Sequence, residues 1–165
     1  MVLHKLRHLH QSIEASRLIM PERFNSWMED GKLTPANKNL GADQLLIGRL
    51  QYDAVLEFEG FAGSPALLMA VVCAWLIDHD PTRDDDKLAS PDIDVDMEDD
   101  DRATVEIRIP FREDIEMVRD DSGLLTMNGV QWSLAGSAIY DVDTAAVGDD
   151  QDAPTDLPYT REDQP

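Results

Sequence analysis

Apolar residues recur at intervals of three and four at the start of the chain. Leu3, Leu6, Leu9 or His10, and Ile13 are separated by Lys5, Arg7, Ser12 and Glu14, and that spacing predicts an amphipathic helix. Pro21 suits the first turn of a second helix, where its missing amide hydrogen costs nothing, and Gly31 suits its exit. Phe24, Trp27 and Met28 would then share one face. From Lys32 to Leu40, residues Thr34, Pro35, Asn37 and Asn39 have the composition of a loop. Gln44 to Arg49 fits helix or strand. Tyr52 to Phe58 alternates and stops at the Gly60 to Gly63 turn, which predicts a strand with one buried face.

Ser64 is placed to cap a further helix with Pro65 in its first position, and Ala66 to Ile77 is apolar nearly all round. That pattern predicts a central core helix, ended by Pro81. Arg83 to Pro91 follows as a charged loop. Ile93, Val95 and Met97 alternate with Asp92, Asp94, Asp96 and Glu98, and beyond Asp99 to Asp101 the pattern resumes as Val105, Ile107, Ile109 and Phe111. Two half-buried antiparallel strands are expected, with Arg102 and Arg108 offsetting part of the acidic outer face. Ile115 and Met117 continue the alternation, Asp121-Ser122-Gly123 marks a turn, and Leu125, Met127 and Trp132 suggest a returning ribbon.

A short strand over Ala138 to Val142 completes an α+β fold of the α/β sandwich type. In it, N-terminal helices and a central apolar helix pack on a mostly antiparallel sheet. One domain over residues 1–143 is expected, followed by an acidic, extended or disordered tail over 144–165, where apolar periodicity stops.

Charge changes what such a domain can bind. The 34 acidic residues outnumber 14 basic ones, for a net charge of -20, and this field opposes phosphate backbones and anionic lipid alike. The longest apolar run, Pro65 to Ile77, is too short to span a bilayer. The opening Met1-Val2-Leu3-His4-Lys5 has neither a signal core nor a cleavage site. Cys73 cannot form an internal disulfide, and its apolar neighbours predict a buried thiol in a cytoplasmic protein.

No group of residues in the sequence assembles a catalytic centre. Asp92, Asp94 and Asp96 with Glu98 to Asp101 superficially resemble a calcium loop, but the sixth and twelfth positions are Met97 and Ala103 where Gly and Glu are needed. Their alternation with apolar residues fits the outer face of a strand. His4 and His8 stand one turn apart without a further zinc ligand, and the residue after His4 is not Glu. His79, between Asp78 and Asp80, could be a tuned base, but an imidazolium at a helix end equally serves the exposed carbonyls. Gly60-Phe61-Ala62-Gly63 lacks the Lys and spacing of a phosphate loop. The chain therefore reads as a non-enzyme with no cofactor and no metal.

The order of these elements resembles the tail-completion protein R family of contractile-tailed temperate phages. The matching features are the amphipathic start around Leu6-Arg7, the opening Met20-Pro21-Glu22-Arg23-Phe24 running to Gly31, and Tyr52 leading a strand into Gly60-Phe61-Ala62-Gly63. Ala74-Trp75-Leu76 followed by Pro81 is the most distinctive piece. The likeness covers roughly Leu3 to Leu125, and Ser64 departs from it where an acidic residue is expected.

The resemblance implies a terminator that assembles as a ring, taken as a hexamer, on the head-proximal end of the tail. It would stop polymerisation of tube or sheath and present a surface to the head-neck connector. DNA would be only passing cargo, no membrane would be involved, and the protein would reside in the virion tail or neck after assembly in the host cytoplasm. Phe111, Arg112, Ile115, Met117 and Arg119, on an expected ribbon from Phe111 to Asp121, are the candidate interface residues. The charge alone would equally suit an acidic DNA mimic that inhibits a nucleic-acid-binding protein. A third reading is a metal-dependent hydrolase built on Asp92 to Asp101.

Overall fold

A computed structural model describes residues 3–136. Helix α1 (His4–Ser16) turns one stripe, Leu6, Leu9 and Ile13, onto the sheet, as its spacing predicts. It ends where Arg17 takes a left-handed conformation. A single 3-10 turn over Pro21–Arg23 leads into strand β1 (Phe24–Gly41), then β2 (Gln44–Phe61), helix α2 (Pro65–His79), β3 (Asp92–Met97), β4 (Ala103–Arg119), β5 (Leu125–Met127) and β6 (Val130–Leu134). Neighbouring strands pair in the order β1-β2-β4-β6-β5, and β3 also pairs with β4. Every pairing is antiparallel. Half of the described residues are strand, so the fold is α+β and dominated by its sheet.

The expected second helix and the loop after it are instead one long edge strand. Phe24 pairs with Phe58 and Gly41 with Gln44. The breakers that suggested helix ends and loop are absorbed as irregularities, with register shifts between Glu29 and Lys32 and between Pro35 and Lys38. An edge strand tolerates this because one side of its backbone needs no partner. Ala42 and Asp43, both at positive φ (48° and 59°), turn the chain into β2 in two residues, the geometry that matches strand twist. Gln44 to Arg49, ambiguous in sequence, is strand.

One sheet face carries the core. Phe24, Tyr52, Phe58, Val105, Ile107 and Phe111 pack there with the α1 stripe and with Leu68, Val72, Trp75 and Leu76 of α2. Ser64 precedes α2 but makes no side-chain cap bond; its carbonyl accepts from the Leu67 amide instead. The expectation of a central helix needs correction. α2 is a surface helix whose outer face stays apolar: Ala66, Leu67, Ala70, Cys73, Ala74 and Ile77 are exposed, and so the Cys73 thiol is not buried.

β3 pairs antiparallel with β4 as expected, with Ile93 opposite Ile107 and Val95 opposite Val105. It is nevertheless exposed along its whole length. Arg108, expected to balance the β3 acids, reaches across β2 to Glu29 at 2.7 Å and also meets Glu106 at 3.6 Å. The expected ribbon from Phe111 is no separate hairpin but the second half of β4, which continues unbroken to Arg119. The suggested strand at Ala138 to Val142 and the tail over 144–165 lie outside the described residues.

Candidate functional site

Two kinds of feature stand out: a polar network that locks the helices to the sheet, and apolar surface that the fold leaves open. The network centres on Glu113 of β4. Its Oε2 accepts from the His4 amide and its Oε1 from the Lys5 amide, both at 2.9 Å, and Oε1 also accepts from the Tyr52 hydroxyl at 2.6 Å. The α1 N-terminus has no local side-chain cap and no acid in its first turn. A carboxylate from a distant strand therefore satisfies its orphan amides and meets its positive dipole end. Burial and the adjacent Glu113 charge push the Tyr52 phenol far above its ordinary value.

A second acid sits at the C-terminal end of α2. Asp80 is almost fully buried and holds Lys5 Nζ at 2.6 Å and Arg83 at 3.0 Å. It thereby ties α1 to the loop after α2. Arg112 adds a 2.6 Å bond to Asp86. The open hollow beside these groups is lined by His4, Lys5, Thr82, Asp86, Arg112 and Glu113. Lys5 is held there by Asp80, Arg112 by Asp86 and Asp114, and Glu113 by the α1 amides and Tyr52.

The histidines converge in a way the sequence pairing of His4 with His8 only half reveals. Trp75 Nε1–H donates to His8 Nδ1 at 3.1 Å, so that nitrogen must be unprotonated. The His8 and His79 rings lie 4.6 Å apart and His4 stacks on His8 at 6.2 Å. Burial, then His79 and His4, lower the His8 pKa. The His79 Nδ1–H donates to the Trp75 carbonyl at 3.1 Å, which is the helix-end role. Among the described residues no three His, Cys, Asp or Glu side chains are grouped to hold a metal ion. The β3 acids lie on the sheet face away from the core, opposite Arg108, Glu106 and Thr104.

Of the five candidate interface residues, Phe111 and Met117 are fully buried, Phe111 against Tyr52 and Trp75. Arg112 is engaged with Asp86, Ile115 is half-buried opposite Gly48, and Arg119 lies 4.0 Å from Asp43. The structure does not gather them into one exposed patch. Large open apolar side chains lie elsewhere: Leu124 before β5 is fully exposed, and Ile77 on α2 is 74% exposed, Met20 before β1 69%, Leu33 on β1 63% and Met97 on β3 59%. Alternation found the β3 row, but apolarity on all sides hid which face of α2 was free.

Large apolar side chains left open on α2, β1 and β3 suit contacts with other proteins. The family model "P2 phage tail completion protein R (GpR)" matches residues 3–136, and the chain belongs to that family. It is 32% identical over 134 residues to an "uncharacterized 19.2 kDa protein in rep-hol intergenic region" of Haemophilus phage HP1 (strain HP1c1), covering 76% of this chain and 81% of that protein. No solved structure matches. Family membership places the chain in phage tail assembly as a structural component. No helix among the described residues is long and apolar enough to cross a membrane.

Proposed function

We propose that this chain terminates the phage tail. Copies assemble as a ring, taken as a hexamer, on the head-proximal end of the tube or sheath, stop further polymerisation, and offer the docking surface for the head-neck connector. The observation that carries this reading is membership of the tail-completion family over residues 3–136. The ring works by interface capping: one face of each subunit mates with the last tail layer, and the other does not template another.

The exposed apolar face of α2 supports this reading. A helix that is apolar all round needs a partner, and Leu67, Cys73 and Ile77 have open surface available for one. We assign that face to the contact with the tail or the connector. Ile115 and Arg119, the accessible members of the β4 set, extend the subunit contact, with Phe111 and Met117 supporting them from beneath. The net charge of -20 keeps DNA from adsorbing as it passes. The protein acts without catalysis, cofactor or membrane. The subunit is made in the host cytoplasm and ends in the virion neck.

The test is a lysate of the parent phage lacking this chain, with tails imaged by negative-stain electron microscopy. Tails of uncontrolled length that do not join heads, restored by supplying the full chain, are expected. Tails of normal length that join heads normally would overturn the reading.

A further inference from the structure

Two unpaired sheet edges of this chain are complementary to each other. Among the described residues β1 and β3 each pair on one side only, and a free edge is a template for another strand. The stretch 32–42 on β1 carries Lys32 and Lys38 and no acid, although the whole chain is strongly acidic. Positions 92–101, covering β3 and its turn, carry seven acids and no cation.

The faces match as well as the charges. Leu33 pairs with the core residue Leu50, so it lies on the core face of the sheet, while Lys32 opposite Gln51 and Lys38 opposite Leu46 lie on the other. On β3, Ile93, Val95 and Met97 share the core face, because Ile107, Val105 and Ala103 opposite them are core residues. Asp92, Asp94 and Asp96 lie behind. Side chains alternate along a strand with period two. Laying one edge antiparallel beside the other with Leu33 against Met97, in a row that is 37% to 59% exposed, therefore puts Lys32 near Glu98 and Lys38 near Asp92 at the two ends of the acidic row.

We propose that the distal half of β1 from one copy adds to the free edge of β3 in the next copy, so that the sheet runs on from subunit to subunit. The contact uses two different surfaces and is therefore head-to-tail, the type that closes into a ring when its rotation permits. The occupant is a second copy and not the chain's own C-terminal segment. Residues 137–165 hold eight acids against Arg161, a charge the β3 edge would repel. This assignment rests on the ring reading and specifies its subunit contact.

Two single variants of the full chain, Leu33→Cys and Val95→Cys, each in a Cys73→Ser background, test it. In one molecule β2 and β4 stand between these positions, about 14 Å across the strands; Leu33 is level with Glu113 and Val95 with Val105, which adds about 27 Å along them, too far for a disulfide. Mixing the two and oxidising is expected to give a heterodimer absent from either alone. Lys32→Glu with Lys38→Glu should weaken self-association, read by native mass spectrometry and sedimentation, about a hundredfold or more. Asp94→Lys with Asp96→Lys in the other copy should restore it. An oligomeric wild type with no cross-link and no response to charge reversal would overturn this contact and leave the ring reading standing. A wild type that stays monomeric at every concentration would overturn both. A photo-crosslinker on Leu33→Cys that lands in residues 137–165 would also overturn it.

Discussion

The Tyr52 hydroxyl donates a 2.6 Å hydrogen bond to Glu113, and the same carboxylate caps the amides of His4 and Lys5. One strand residue thus fixes both a core tyrosine and the start of α1. Replacing Glu113 by Ala leaves the Tyr52 hydroxyl and two helix amides without their acceptor. Urea unfolding of the full chain should show a loss of about 2–4 kcal/mol. Tyr52→Phe, which leaves Glu113 on the His4 and Lys5 amides but removes the hydroxyl's own bond to the Leu6 amide, should cost about 1–2 kcal/mol. Equal costs for the two variants would contradict the cap.

Asp80 holds two cations while having almost no exposed surface itself. Removing it strands Lys5 and Arg83, so Asp80→Ala should destabilise by about 3 kcal/mol. The double variant Asp80→Ala with Lys5→Met should recover part of that loss, because one unpaired cation is gone. Additive losses in the thermal unfolding of both variants would contradict the pairing.

His8 accepts from Trp75 only while Nδ1 is unprotonated, and its pKa is lowered in the folded chain by burial and by His79 and His4. The unfolded chain therefore binds the proton first as pH falls. His8 then contributes stability that is present above the ordinary histidine pKa of about 6.5 and is lost as pH drops below it. His8→Phe keeps a ring but removes the titration. Its stability should fall less steeply than wild type between pH 7.5 and 5, and parallel curves in denaturant titrations would contradict the assignment.

The outer face of α2 carries a prediction that separates folding from assembly. Ile77→Lys changes a residue that is 74% exposed, so the unfolding midpoint should move by no more than about 0.5 kcal/mol. Complementation of a phage lacking the chain should nevertheless drop sharply. Full complementation would show that α2 contacts nothing.

What could be read from sequence was what periodicity encodes locally. The α1 stripe, the span of α2 and the antiparallel β3–β4 pair with its acidic outer face all follow from spacing, and the packing motifs Leu6-Arg7 and Ala74-Trp75-Leu76 led to the right family. β1 was lost because its signals are those of a turn: Gly31, Pro35 and the two asparagines stand at bulges of an edge strand, where breakers are tolerated. Pro110 is accepted for a related reason. It falls between the part of β4 paired to β3, which ends at Arg108, and the part paired to β6, which begins at Met117. The turn at Ala42-Asp43 has no Asn-Gly to announce it. Glu113 and Asp80 act over sequence separations of 109 and 75 residues, which no local pattern reports. The exposure of α2 and β3 was illegible because alternation says which residues share a face and not whether anything covers it.

The central claim is that this chain sits at the head-proximal end of the tail, and locating it on the particle tests that most directly. Tails restored with an epitope-tagged full chain should show, by cryo-electron microscopy and gold labelling, one ring of label at the end that meets the head. Label along the tube, at the distal end, or absent from finished tails would contradict the account.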